Sequence, residues 1–201
     1  MQELEQVLKD YAAFESEVRV FSSELWFQSC SNCREVCCKA LYCRETFESP
    51  FLFSLLNKYS SHQLYNNTQK AWLSEAGCKL SVGRPPVCYE FLCANILDAQ
   101  QTGMQRYAMI VLSKLVSHTG KRALGSRHLI EVMDPADLKK VRYSGFKRRL
   151  SEARNAFDVV QLFLSGDKLE NDVLKILSKI SRPNQRSCYQ KGRRRKVLIH
   201  S

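Results

Sequence analysis

Eight of the nine cysteines in this 201-residue chain fall between residues 30 and 93, and residues 94–187 contain none. A thiol-rich stretch of that kind is cross-linked, holds an ion, or buries its sulfurs one by one as small apolar groups. Length removes the need for cross-links, because 201 residues can bury a real core. Hydrophobic residues at 44% and charged residues at 25% are ordinary for a folded protein, which argues against a disordered, collagen-like or membrane-embedded chain. No run approaches the roughly 18 apolar residues of a membrane helix; Tyr107 to Leu112 is bounded by Arg106 and Lys114. The opening MQELEQVLKD carries acids where a secretory leader carries a basic and then an apolar segment. The expectation is a cytoplasmic protein, and in a reducing compartment clustered cysteines point to metal ligands or redox thiols. The Asn66-Asn67-Thr68 glycosylation match is then coincidental.

The first cysteine group is Cys30, Cys33, Cys37, Cys38 and Cys43, and the second is Cys78, Cys88 and Cys93. On a continuous helix Cys30, Cys33 and Cys37 share one stripe, so their sulfurs could converge. Adjacent Cys37 and Cys38 point different ways and suit different jobs. Gly77 and Gly83 permit tight turns, and Pro85-Pro86 stiffens the approach to Cys88. Thiolates favour zinc, copper(I) and iron-sulfur clusters. Eight sulfurs exceed the four of one zinc site or one cluster, so either two centres form or some thiols are spare. For Cys43 and Cys188 a buried apolar role weighs equally with ligation. Arg84 either offsets thiolate charge or stabilises the turn by packing on Tyr89 or Phe91. Glu48 and Glu90 read as solvated surface groups.

The two segments, C-x2-C-x3-CC and then GC-x5-RP-x2-C-x-x-F-x-C, resemble the YkgJ-type cysteine cluster family, regarded as a zinc- or iron-chelating domain. The likeness covers residues 30–93. It implies that Cys30, Cys33, Cys37 and Cys38 form the early ligand cluster, and that Gly77, Cys78, Arg84, Pro85, Cys88, Phe91 and Cys93 form the later signature. Two features depart from the family pattern. Cys33 to Cys37 is one residue longer than usual, and Ser49-Pro50-Phe51-Leu52 stands where a Cys-Pro-Phe-Leu segment is frequent, leaving Cys43 to make up the missing sulfur.

The remaining pattern is helical. Leu4, Val7, Tyr11, Phe14, Val18, Phe21 and Leu25 recur at three- and four-residue steps, predicting an amphipathic helix that packs on its own chain. Further helices are predicted at Pro50 to Tyr59, at Tyr65 to Ala76 ending at Gly77, and from Ala94 with a break at Gly103 and closure at Gly120. Others are expected from Pro135 behind Asp134, from Ser151 to Gly166, and over Val173 to Ile180. Alternating strand patterns and hairpin signals are absent. The expected fold is mainly α, irregular, and organised around the cysteine-rich segment: 1–29 as the amphipathic helix, 30–93 as the metal-binding region, 94–181 as a basic helical region and 182–201 as a flexible basic tail.

Charge divides unevenly. Residues 1–94 carry 9 basic and 11 acidic groups, and residues 95–201 carry 22 and 9. Lys139, Lys140, Arg142, Lys147, Arg148 and Arg149, interleaved with Tyr143 and Phe146, together with Arg193, Arg194 and Arg195, are candidates to meet a phosphate backbone or an acidic protein. His62, His118, His128 and His200 lack metal-helix spacing and read as surface groups. No phosphate loop, dinucleotide fingerprint or nucleophile elbow is present, so no catalytic motif supports an enzyme class. The functional expectation is a cysteine-ligated protein holding zinc or an iron-sulfur cluster in a structural or redox role. The alternatives are a metal- or redox-responsive regulator binding nucleic acid through the basic half, and a thiol oxidoreductase using Cys30 and Cys33. The pattern leaves oligomeric state open.

Overall fold

The computed structural model describes residues 2–31, 40–60, 73–74, 77–166 and 172–181. In chain order it forms α1 (Gln2–Ser31), the single-turn helices α2 (Ala40–Cys43) and α3 (Glu45–Glu48), and α4 (Pro50–Tyr59). An antiparallel pair follows, β1 (Leu73–Ser74) and β2 (Gly77–Cys78), with Leu73 opposite Cys78 and Ser74 opposite Gly77. Then come α5 (Val87–Glu90), α6 (Ala94–Asp98), α7 (Gly103–Gly120), a 3-10 turn at Leu129–Glu131, α8 (Pro135–Leu138), α9 (Tyr143–Leu164) and α10 (Val173–Ile180). The protein is mainly helical, as its periodicity predicts.

The core is built where the apolar stripes meet. α7 and α9 form the principal pair, with α10 and α1 laid against both and α4 against α1. From α1, Val7, Tyr11, Phe14 and Val18 are buried, so the helix packs on its own chain. Phe14 and Phe21 meet Phe157 of α9 edge to face at 6.0 and 5.5 Å, and Tyr11 meets Phe51 of α4 at 5.0 Å. Leu112 and Leu115 of α7, Phe146 and Val160 of α9 and Leu177 of α10 complete one continuous cluster. One core therefore joins residues from both charge halves.

Local chemistry explains the boundaries. Pro50 occupies the first turn of α4, and the Ser49 side chain accepts from the Leu52 amide. Thr102 and Gln105 form a reciprocal capping box that starts α7, so the break expected at Gly103 falls at residues 99–102 and Gly103 is the first residue of the helix. Gly120 ends α7 under the His128 ring: a Cβ there would sit 2.2 Å from Cε1.

Two expected elements are corrected. The segment expected as a helix ending at Gly77 is extended at Leu73–Ser74, because a two-residue ladder leaves no alternation to read; its residues 65–72 and 75–76 lie outside the described residues. The helix expected from Ser151 starts at Tyr143 instead. Arg142 opens it from an extended conformation with no side-chain cap, so the usual start signal is missing, and Ser151 is an exposed mid-helix residue.

Candidate metal centre

The second cysteine stretch is held against α1 by a buried carboxylate. Glu15 is fully buried; its Oε2 accepts from the Gly83 amide at 2.8 Å, and its Oε1 from the Arg84 amide and the Tyr89 hydroxyl, each at 2.9 Å. Burial outweighs these donors and the Arg84 charge, and raises the Glu15 pKa to about 7. From the other side, Thr46 Oγ1 donates to the Gly83 carbonyl at 3.0 Å. Gly83 has φ +74°, and a Cβ there would meet the Leu52 carbonyl oxygen at 3.0 Å, so position and conformation both require glycine.

Arg84 closes the loop on itself. Its Nε donates to the Leu80 carbonyl at 2.8 Å and its Nη2 to the Cys78 carbonyl at 3.0 Å. It is thus a turn clasp acting through backbone carbonyls, with its guanidinium beside Cys78. Arg19 joins it from α1: burial and Arg84 push the Arg19 pKa down, while Tyr89, Cys78 and Glu15 hold it up. Two guanidiniums therefore flank the start of the second cysteine group.

The expected ligands are distributed as follows. α1 persists far enough to carry Cys30, which is exposed in its last turn. Cys43 is buried with Leu56 and Leu80, and Cys78 packs against that small cluster, so one thiol from each group meets at the same place. Cys88 lies in α5 and Cys93 at the start of α6, both half-buried. Cys33, Cys37 and Cys38 lie outside the described residues, as does Cys188. Among the described residues no three of His, Cys, Asp or Glu converge as a group able to hold a metal ion. Glu48 pairs with Arg44 at 2.8 Å on the surface, and Glu90 is exposed.

The expectation of surface histidines is corrected for two of them. His118 is buried against Glu152 at 2.9 Å, and His128 Nε2 reaches the Ser117 carbonyl at 2.7 Å while Nδ1 accepts from the Ile130 amide at 3.3 Å. Burial lowers both pKa values. Each partner stands well away in the chain from its histidine, or is a backbone group, so neither pairing leaves a local motif. His62 and His200 lie outside the described residues.

Lys139, Lys140, Arg142, Lys147 and Arg148 are exposed around α8 and the start of α9. Lys140 pairs with Asp137 at 2.8 Å, which also takes Arg127 at 3.1 Å. Arg149 is buried and donates from Nε to the Thr119 carbonyl at 3.2 Å, so it braces α7 against α9. The stacking role expected of the aromatics is corrected: Phe146 is fully buried in the core, and Tyr143 donates its hydroxyl to Asp10 at 2.7 Å. Arg193, Arg194 and Arg195 lie outside the described residues.

Comparison with family models, curated proteins and solved structures returns no match for this chain. No helix among the described residues is long and apolar enough to cross a membrane.

Proposed function

We propose that the chain is a cysteine-ligated metal-binding protein, holding zinc or an iron-sulfur cluster in a structural or redox role. The observation that carries this reading is the docking of the 78–93 loop on α1 through Glu15, which sets the second cysteine group beside the helix that leads into the first. The meeting of Cys43 with Cys78 supports it, because it joins two thiols 35 residues apart in sequence. So do Arg19 and Arg84, whose positive charge at the start of the second cysteine group would offset the negative charge of a thiolate-ligated centre. Cys30, Cys43, Cys78, Cys88 and Cys93 are the described donors, and Cys33, Cys37 and Cys38 would complete the set. The resemblance to the YkgJ-type family points the same way. Bound metal would supply cross-linking between the two segments and, in a cluster, electron transfer; the chain's own part is to present deprotonated sulfur and hold the loop rigid.

Cys78→Ser tests the reading. It is expected to lower bound metal and the melting temperature of the metal-loaded chain together; metal content equal to wild type would remove Cys78 from the ligand set.

A second reading rests on the exposed Lys139, Lys140, Arg142, Lys147 and Arg148: a metal- or redox-responsive regulator that binds nucleic acid through this corner. It requires affinity for an oligonucleotide that falls steeply with salt and changes with metal loading.

A further inference from the structure

α1 and α9 lie side by side and run in the same direction: Asp10, Glu17 and Phe21 meet Tyr143, Arg154 and Phe157 in that order. A groove of about 600 Å³ opens between them. Val20, Phe21 and Phe157 give it an apolar lining, and Glu17, Glu24 and Asp158 add three carboxylates.

The α1 side of the groove has a period of its own. Ala13, Val20 and Phe27 recur every seven residues, Glu17 and Glu24 fall between them at steps of four and three, and all five are exposed. This stripe is distinct from Val7, Phe14 and Val18, which the same helix buries in the core. On α9, Leu162 is exposed one turn beyond Asp158. Val20, Phe27 and Leu162 are three of the nine large apolar residues exposed among the described residues, so a third of them belong to this one face. A seven-residue seam open to solvent suits a second helix, which keeps contact through successive heptads at the shallow crossing angle of bundled helices. An extended strand, with its two-residue period, does not match it. Ala13 to Phe27 spans about 21 Å, room for roughly four helical turns.

Charge selects the occupant. The chain as a whole carries +11, yet carboxylates line this groove. Arg154 is already held by Glu17 at 2.8 Å, and among the described residues Glu24 and Asp158 form no ion pair. Such a rim repels nucleic acid and anionic lipid, and a second copy applied by the same face would set carboxylates against carboxylates. A helix whose apolar edge is flanked by Lys or Arg meets a complement for both of its features.

We propose that the α1–α9 groove docks a basic amphipathic helix of a partner protein, its apolar edge on Ala13, Val20, Phe27 and Leu162 and its cationic flanks on Glu24 and Asp158. The proposal does not depend on the metal reading.

The probe is a fluorescent three-heptad synthetic helix with leucine at a and d and lysine at e and g, a charge pattern that keeps it from pairing with itself. One control carries glutamate at e and g, and another has the lysine peptide's composition in scrambled order. Fluorescence anisotropy with the full chain is expected to show saturable binding of the lysine helix alone. Val20→Asn and Leu162→Asn, at exposed positions where melting should hold at the wild-type value, are each expected to weaken it about tenfold. The double variant Glu24→Lys, Asp158→Lys is expected to lose the lysine helix and gain the glutamate helix, a gain that a misfolded chain could not give. No binding of the lysine helix, equal binding of the scrambled peptide, or unchanged affinity in all these variants would overturn the proposal. Benzoylphenylalanine in place of Val20 should photo-crosslink to the lysine helix. A crosslink formed in its absence to residues 182–201 of the same chain, or to a second copy, would assign the groove to that occupant and overturn the proposal as well.

Discussion

Glu15 is the residue on which the local architecture turns, and its protonation gives a measurable signature. Its pKa is raised from 4.5 to about 7 by burial, so the folded state holds a proton that the unfolded state has released. The Glu15 contribution to stability is therefore fully present below about pH 4.5 and lost as pH rises through 7, by roughly 3 kcal/mol at most. Buried His118 and half-buried His128 act in the opposite sense, since their lowered values cost stability as pH falls below the ordinary histidine range. Comparing wild type with Glu15→Gln isolates the first effect. Denaturant unfolding between pH 4.5 and 8 should show wild type losing stability relative to the variant as pH rises; a constant difference would contradict the raised value. Gly120→Ala makes a second case. The His128 ring occupies the space a Cβ needs, so the substitution is expected to cost about 1–3 kcal/mol by thermal or chemical unfolding, with a wild-type melt contradicting the packing.

Among the elements, those with chemical punctuation were legible in advance. Pro50 and Ser49 mark α4, Asp134 and Pro135 mark α8, and Gly103 is the first residue of α7, next to the gap that separates it from α6. α9 was misread at its start, since Arg142 supplies no cap while Ser151 imitates one. The docking of the 78–93 loop was not legible at all: Glu15 resembles the other acids on the polar positions of α1, and its partners are 68 to 74 residues away. Gly83, Arg84 and Cys78 stood out by spacing, yet the clasp Arg84 makes is to backbone carbonyls, which carry no residue identity. The α7 start offers a check at this scale. Thr102→Ala removes the hydroxyl that accepts from the Gln105 amide at 3.1 Å, and is expected to cost about 1 kcal/mol in unfolding experiments; no loss would mean that the capping box does not hold α7.

For the whole molecule, α1 has two jobs on two faces. Val7, Phe14 and Val18 join it to the core shared with α7 and α9, while Glu15 holds the 78–93 loop. A metal bound as proposed would thereby be coupled to an element that the rest of the fold holds in place, and its loss should loosen the cysteine region while the α7–α9 pair stays folded. Hydrogen exchange before and after chelation would show this as faster exchange in residues 78–93 with protection retained at Leu112 and Val160; equal protection in both states would uncouple loop and metal. The exposed basic corner at Lys139, Lys140, Arg142, Lys147 and Arg148 lies on a separate region of the chain, around α8 and α9, so the second reading can be tested by salt titration of oligonucleotide binding without disturbing the cysteines. The central claim meets its most direct test in elemental analysis with absorption spectroscopy of the anaerobically purified chain, paired with counting of alkylatable thiols. Stoichiometric zinc without colour, or iron with sulfide and a brown chromophore, together with cysteines protected until the metal is removed, is the result predicted here. A metal-free chain whose thiols all react at once would contradict it.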